Sequence, residues 1–146
     1  MVSNHMSFSL TSASLHLITS HGESAYPNEG AGFLLGTAEN GVVTVTGILP
    51  LPNAREAEAQ HNRYLITEQD YLRGELEAAR QSLDLVGVFH SHPDHPAEPS
   101  VFDRDHALPN FSYIITSVHA GKAIESRSWK LREDRTAFDE EKLVIG

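Results

Sequence analysis

The sequence contains no cysteine, and this absence excludes several kinds of chemistry at once. Disulfide bridges, thiolate nucleophiles and cysteine-ligated zinc sites all need that residue. A chain without disulfides suits the cytoplasm, which is where we expect this protein to be. The sequence also has no run of 18 apolar residues, and its start lacks a basic region followed by an apolar stretch. We therefore expect no membrane-spanning segment and no secretory signal.

Basic residues are few. The 11 lysines and arginines are outnumbered by 20 acidic residues, which gives a formal net charge of −9. Such a chain repels phosphate backbones, so we expect no nucleic-acid partner, whereas a protein with a basic face fits the charge better. Hydrophobic residues make up 40% of the 146 residues, enough for one packed core. We expect a single domain over residues 1–146, with residues 1–6 either disordered or a cloning remnant.

Two segments have the pattern of amphipathic helices. Thr11 is a candidate N-cap for a helix that runs to about Glu23. Thr67 is a candidate N-cap for a second helix, Glu68–Leu83. In the second helix, four apolar residues fall on one stripe, as is typical of a face that packs on a core: Leu72, Leu76, Ala79 and Leu83.

Five segments, of which the last two show an alternating pattern, are predicted to be β-strands: Gly32–Gly36, Val42–Leu49, Leu85–Phe89, Phe111–Val118 and Lys122–Leu131. Hairpin turns are predicted at Glu39–Gly41 and at His119–Gly121. The polar segment 51–63 is predicted to be a loop, and the tail 135–146 has a mixed pattern. Interleaved helices and hairpins predict a mixed sheet with helices packed on it, an α/β (α+β) fold.

Two histidines, His90 and His92, follow a predicted strand that we expect to end where they begin. Residues i and i+2 of extended backbone point to one face, so the two imidazoles are delivered side by side. Three prolines make residues 93–99 a predicted loop, and Ser100 is then the N-cap of a short helix that carries Asp103. A loop that folds back brings this carboxylate against the histidines. Two imidazoles and a carboxylate leave a fourth position for water, as in catalytic zinc sites.

A water on such a metal needs a base that takes its proton and returns it to the leaving amine. Glu29 is the candidate base, because it lies just before the first predicted strand and can be aimed at the sheet end that carries the histidines. Ser100 is placed to hydrogen-bond the developing oxyanion. We expect one Zn²⁺ per chain with water as its fourth ligand, although iron and manganese accept the same ligands.

The remaining histidines and nearby acids have simpler interpretations. We expect four histidines to be solvated or structural: His61, His95, His106 and His119. Three acids are expected to be surface charges: Asp94, Glu98 and Asp105.

Taken together, these residues resemble the JAMM motif of MPN-domain metallopeptidases. The matching residues are His90-Ser-His92-Pro93, the seven residues from Pro93 through Pro99, and Ser100-Val-Phe-Asp103. Upstream, Pro27–Gly36 resembles the family strand that carries the catalytic glutamate. The resemblance covers about residues 8–132. It implies His90, His92 and Asp103 as metal ligands, Glu29 as general acid/base and Ser100 as the oxyanion-stabilising residue.

The resemblance also implies a fold and an activity. The family fold is a curved mixed β-sheet flanked by helices, of the cytidine-deaminase-like type. Family members include isopeptidases that remove ubiquitin or ubiquitin-like proteins, and this chain resembles the compact prokaryotic forms. The implied protein is a zinc metalloprotease that cuts the amide bond after the C-terminal glycine of a ubiquitin-like or sulfur-carrier protein ending in Gly-Gly.

Other interpretations are open. The run from His90 to His95 also fits His-x-His-x-Asp-His, the metallo-β-lactamase pattern, in which Asp94 and His95 bind a second metal. That fold needs further metal ligands downstream, and the sequence after His95 contains only two histidines, His106 and His119. A non-catalytic MPN scaffold is a second alternative, although such domains have usually lost the metal ligands. A cysteine-conjugate amidase of sulfur transfer is a third. The oligomeric state, and whether loop 51–63 gates the site, are left open.

Overall fold

A computed structural model describes residues 7–52, 64 and 66–146 of the chain. Residues 1–6, most of the predicted loop 51–63 and its His61 lie outside the described residues. The strands are β1 (Ser7–Leu10), β2 (Ala31–Glu39), β3 (Val42–Leu51), β4 (Asp84–Pro93), β5 (Ser112–His119), β6 (Lys122–Leu131) and β7 (Phe138–Ile145). The described helices are α1 (Ser12–Ala25), α2 (Glu68–Arg80) and α3 (Val101–His106). Within these described ranges, no helix is long and apolar enough to cross a bilayer.

The strands form a closed mixed sheet in the order β1-β3-β2-β4-β5-β6-β7. Closure comes from β7, which pairs antiparallel with β6 and parallel with β1. The expected α/β (α+β) class, a mixed sheet with helices on it, is confirmed. The sequence patterns did not predict β1 or β7. β1 has only four residues, and the charged run Asp139–Lys142 hides the alternation of β7.

The sheet buries side chains on both of its faces. Along β2, Phe33 and Leu35 belong to a core cluster that includes Ala78 of α2. Leu34 points the other way, into a cluster that includes Ile18 of α1. A strand covered on both faces needs a continuous apolar run, which explains why β2 lacks alternation. Burial of each such large apolar side chain contributes about 1.5–3 kcal/mol.

The predicted helix starts and hairpin turns are confirmed. Thr11 Oγ1 accepts a hydrogen bond from the Ser14 amide, and Thr67 forms a reciprocal capping box with Asp70. In the turn between β2 and β3, Asn40 and Gly41 have φ values of 52° and 78°. Two consecutive residues in this left-handed region are what the tightest hairpin turns require.

The predicted apolar stripe of α2 is wrong. Leu72 and Leu76 are 60% and 62% exposed, and Ala79 is also exposed. The helix instead packs on the sheet through Gly74 and Ala78, and it ends at Arg80 rather than Leu83. Gly74 explains the choice of face, because a Cβ there would lie 2.8 Å from the Phe33 ring. The missing side chain lets the helix approach the aromatic ring closely.

The packing face of α2 can be tested with two substitutions on the same helix. Gly74→Val forces a side chain against Phe33, so we expect the free energy of unfolding to fall by about 1–3 kcal/mol. The control Leu76→Gln changes an exposed position and should alter that free energy by less than about 0.5 kcal/mol. Urea denaturation measures both. A large loss in the control with none at Gly74 would contradict the packing described.

Candidate metal centre

The two histidines lie within β4 rather than after it. The expectation that this strand ends at Phe89 is wrong, because β4 runs on to Pro93. From His90 to Pro93 it pairs in parallel with β5, whereas its pairing with β2 ends at the partner pair Ala31 and His90. The parallel neighbour thus keeps the backbone extended. The predicted side-by-side placement of the two imidazoles therefore holds, and the connecting loop begins at residue 94.

Asp103 is oriented by the start of α3. Ser100 is the N-cap of this helix, as predicted, and its Oγ accepts a hydrogen bond from the Asp103 amide at 3.1 Å. In return, the Ser100 amide donates to Asp103 Oδ2 at 2.8 Å. Such a reciprocal capping box fixes the rotamer of the carboxylate as well as the helix start. The cap therefore aims Asp103 back toward β4.

Three ligand atoms converge in a buried cluster. The Nε2 atoms of His90 and His92 lie 3.1 Å apart. Asp103 Oδ1 is 3.2 Å from His90 Nε2, and its Oδ2 is 3.1 Å from His92 Nε2. The three residues are 1%, 7% and 4% exposed, respectively. The structure thus brings together all three residues predicted to be metal ligands.

The spacing of these atoms fits a metal ion. Two bonds of about 2.0–2.1 Å at a tetrahedral angle place their donor atoms roughly 3.3 Å apart. The three separations of the cluster are close to that value. His92 Nδ1 lies 3.0 Å from the Pro96 carbonyl oxygen, to which it can donate while Nε2 keeps its lone pair for a cation. Two imidazoles and one carboxylate fit a metal that keeps an open position.

The electrostatics of the cluster also suit a cation. Burial lowers the pKa of His90, although Asp103 opposes that shift. Burial also acts to lower the pKa of His92, but the Asp103 and Pro96 hydrogen bonds outweigh it and the pKa is raised. Burial acts to raise the pKa of Asp103, yet the neighbouring histidines and the Ser100 amide outweigh it and the pKa falls below its ordinary value. The site therefore offers an ionised carboxylate beside two imidazoles.

Tyr64 holds the ring of His90 in place. The two rings stack with their centroids 4.4 Å apart, and Phe102 of α3 meets Tyr64 edge-on at 6.3 Å. His90 Nδ1 is buried and has no hydrogen-bond partner among the described residues. Because no hydrogen bond from these residues orients the ring at Nδ1, the stacking with Tyr64 is the contact that restrains its plane. No sequence pattern predicted a role for Tyr64. It stands at the end of a polar segment without periodicity, where no pattern distinguishes an aromatic core residue.

An open cleft of about 350 Å³ adjoins the cluster. Glu29, His92 and Ser100 all line it, so both predicted catalytic residues share a cavity with a predicted ligand. Glu29 is 6% exposed despite lying on an irregular segment before β2. His95 and Glu98 are exposed, as expected, and they also line this cleft.

The second-metal arrangement of the metallo-β-lactamase pattern is not supported. Asp94 Oδ2 accepts a hydrogen bond from the Tyr26 hydroxyl at 2.6 Å, and its Oδ1 accepts one from the Ala120 amide at 2.9 Å. Asp94 is exposed, as expected of a surface charge, and its two oxygens also link the start of the loop after β4 to Tyr26 and Ala120. In the parts of the chain that the structure describes, the one group of three residues able to hold a metal is His90, His92 and Asp103.

Comparison with known proteins agrees with the fold. Residues 11–132 match the family model of prokaryotic homologs of the JAB domain. Three of the similar solved structures show this. A protein of Salinibacter ruber has a TM-score of 0.74 at 41% identity, covering 94% of this chain and 91% of that one. A protein of Desulfitobacterium hafniense has a TM-score of 0.82 at 26% identity, covering 95% and 92%. A JAB1/MPN domain protein from Archaeoglobus fulgidus has a TM-score of 0.57 at 18% identity, covering 94% of this chain and 97% of that one. At this identity the similarity shows the fold alone.

One curated relative has a descriptive name. A protein of Thermus thermophilus, named as a probable TtuB-protein conjugate cleaving protease, is 33% identical over 89 residues. That stretch is 61% of this chain and 55% of the relative. The chain thus matches about half the length of the curated relative.

The metal centre can be tested without any knowledge of a substrate. The protein should bind one divalent zinc or cobalt ion per chain, measured by isothermal titration calorimetry. Asp103→Ala should weaken this affinity by more than the roughly 10–100-fold that loss of an outer-shell partner costs. Asp105→Ala, an exposed carboxylate on the same helix, is the matched control and should bind normally. Equal affinities in the two variants would contradict the assignment of Asp103.

Proposed function

The chain belongs to the family of prokaryotic homologs of the JAB domain, and from that premise we propose that it is a zinc-dependent isopeptidase. Its substrate would be a ubiquitin-like or sulfur-carrier protein joined to another group through its C-terminal glycine. The observation that carries this proposal is the shared cleft, which Glu29 and Ser100 line together with His92, one of three buried donor residues able to hold a metal ion. We also propose that the chain is a single domain of this kind.

His90, His92 and Asp103 would hold the zinc ion in this scheme. Bound there, zinc supplies a Lewis acid for the scissile carbonyl and lowers the pKa of a water. Glu29 takes the proton of the attacking water and delivers it to the leaving amine. Glu29 is 6% exposed and lines the cleft beside His92, which suits a group that acts on a substrate bound there.

Ser100 would stabilise the oxyanion. Its Oγ already accepts a hydrogen bond from the Asp103 amide. This bond uses one lone pair of the oxygen and leaves the hydroxyl proton available to donate. Because Ser100 also lines the cleft, that proton can reach an oxygen of a bound substrate. One side chain thus serves both as helix cap and as oxyanion donor.

The name of the Thermus thermophilus relative supports the class of substrate. That relative is named as a probable protease that cleaves TtuB-protein conjugates. We propose that this chain also cleaves a protein conjugate, at the amide bond after the C-terminal glycine of the carrier. An extended Gly-Gly tail would lie beside a strand edge and be held by main-chain hydrogen bonds. A non-catalytic scaffold is less compatible with this chain, because it retains the complete donor set.

Glu29→Gln is the most informative variant for the reaction. The amide cannot accept the proton of the attacking water, so turnover should fall below detection while the zinc affinity stays within about twofold. The assay uses a ubiquitin-like protein joined through its terminal glycine to a lysine peptide, followed by intact mass. Hydrolysis at the wild-type rate by Glu29→Gln would remove Glu29 from its assigned role.

The kind of bond can be resolved with three substrates that share one carrier. The same protein is joined to a lysine side chain, to a linear peptide and to free cysteine through its α-amino group. We expect cleavage of the lysine conjugate at the highest kcat/KM. Preference for the cysteine conjugate would instead indicate an amidase of sulfur transfer. If the protein cleaves none of the three conjugates, the proposed function is contradicted.

A further inference from the structure

The position of Glu29 is not set by regular secondary structure. The segment 26–30 joins α1 to β2 and belongs to neither. A general base must stand within hydrogen-bond reach of the proton it takes, so something must fix this segment relative to the metal ligands. The contacts of the next residue, Gly30, show what does so.

Gly30 is held at both of its backbone groups by one residue of β4. The Gly30 amide donates to Ser91 Oγ at 2.8 Å, and the Ser91 amide donates to the Gly30 carbonyl at 2.9 Å. Regular pairing of β2 with β4 ends one step earlier, at Ala31 and His90. The serine hydroxyl thus replaces the acceptor that a further ladder residue would have supplied. The hydrogen bonding between β4 and this segment is thereby extended to Gly30, the residue next to Glu29.

Ser91 lies between the two histidine ligands but points away from them. Successive side chains of a strand face opposite ways, so Ser91 faces α1. Its Cβ is 3.1 Å from the point that a Cβ on Gly22 of α1 would occupy, and Ser91 is 2% exposed. Ser91 therefore cannot ligate the metal, yet it shares one short stretch of backbone with both ligands.

The other side of Gly30 is closed by α1. A Cβ on Gly30 would lie 3.0 Å from Ala25 Cβ and 3.1 Å from His21 Cδ2. Gly30 is thus confined between the helix and Ser91, and its amide donates to the Ser91 hydroxyl. A buried amide that loses its acceptor must be relieved by movement of the chain. That movement would be passed to Glu29, the adjacent residue.

We infer that Ser91 is a positioning residue, whose hydroxyl sets the place of the Glu29 carboxylate relative to the metal ligands. The inference rests on the proposed function, since it concerns the efficiency of Glu29 as a base. Displacement of a catalytic group by about 1 Å can cost 10²-fold in rate. The loss should therefore fall on kcat, with substrate binding and metal affinity preserved.

The test compares Ser91→Ala with a matched control. Ser128 is also a fully buried serine, and its Oγ donates to Glu141 Oε1 at 3.1 Å in β6 and β7, outside the candidate site. Both substitutions remove one buried side-chain hydrogen bond. With the lysine-peptide conjugate as substrate, Ser91→Ala should lower kcat by about 10–100-fold with little change in KM. Ser128→Ala should keep kcat within about twofold, and zinc affinity should be unchanged in both.

Two further measurements separate positioning from general loss of structure. Ser91→Thr keeps a hydroxyl at the same position and should restore most of kcat. Hydrogen exchange of the Gly30 amide, followed by NMR, should be faster in Ser91→Ala and unchanged in Ser128→Ala, and this readout does not need activity. Equal kcat in the two alanine variants, with an active wild type, would overturn the role of Ser91 but leave the proposed function standing. A wild type that cleaves no conjugate would instead overturn the proposed function.

Discussion

The carboxylate of Asp103 is the group on which the rest of the site depends. It accepts a hydrogen bond from the amide of Ser100, the N-cap of α3, and it contacts both histidines of β4. A buried carboxylate is costly unless hydrogen bonds and positive charge surround it. Here the helix cap supplies the hydrogen bond and the imidazole edges face its oxygens, so a bound cation would complete the compensation. Helix start, strand end and metal site are therefore one interdependent unit.

That unit exists only because the intervening loop is fixed. Between β4 and α3, the chain runs through residues 94–99, and side chains of β5 and β6 donate hydrogen bonds to two carbonyls of this loop. Ser117 Oγ donates to the His95 carbonyl at 2.6 Å, and Trp129 Nε1 donates to the Ala97 carbonyl at 3.0 Å. Both donors come from the β5–β6 hairpin, so the same sheet that extends β4 also holds the loop. Prolines stiffen the loop itself and reduce the conformational entropy lost on ordering it.

The sequence predicted those features that are encoded over short distances. The Ser100 cap and the His90/His92 spacing follow from neighbouring residues, and each is present as predicted. The buried face of α2 was mispredicted, because it depends on a glycine that accommodates a distant aromatic ring rather than on leucine periodicity. The contact of Tyr64 with His90 and the hydrogen bond from Gly30 to Ser91 were missed for the same reason. They join residues far apart in the sequence, and no local pattern records them.

The central claim is that His90, His92 and Asp103 bind one zinc ion that keeps an open position facing Glu29. Anomalous X-ray diffraction at the zinc edge from crystals of the zinc-loaded protein tests this claim most directly. We expect one strong peak per chain, with bonds of about 2.0–2.1 Å to both Nε2 atoms and to the carboxylate. A solvent oxygen should complete the tetrahedron on the side of the cleft. A peak elsewhere, or a fourth protein ligand that closes the site, would contradict the account.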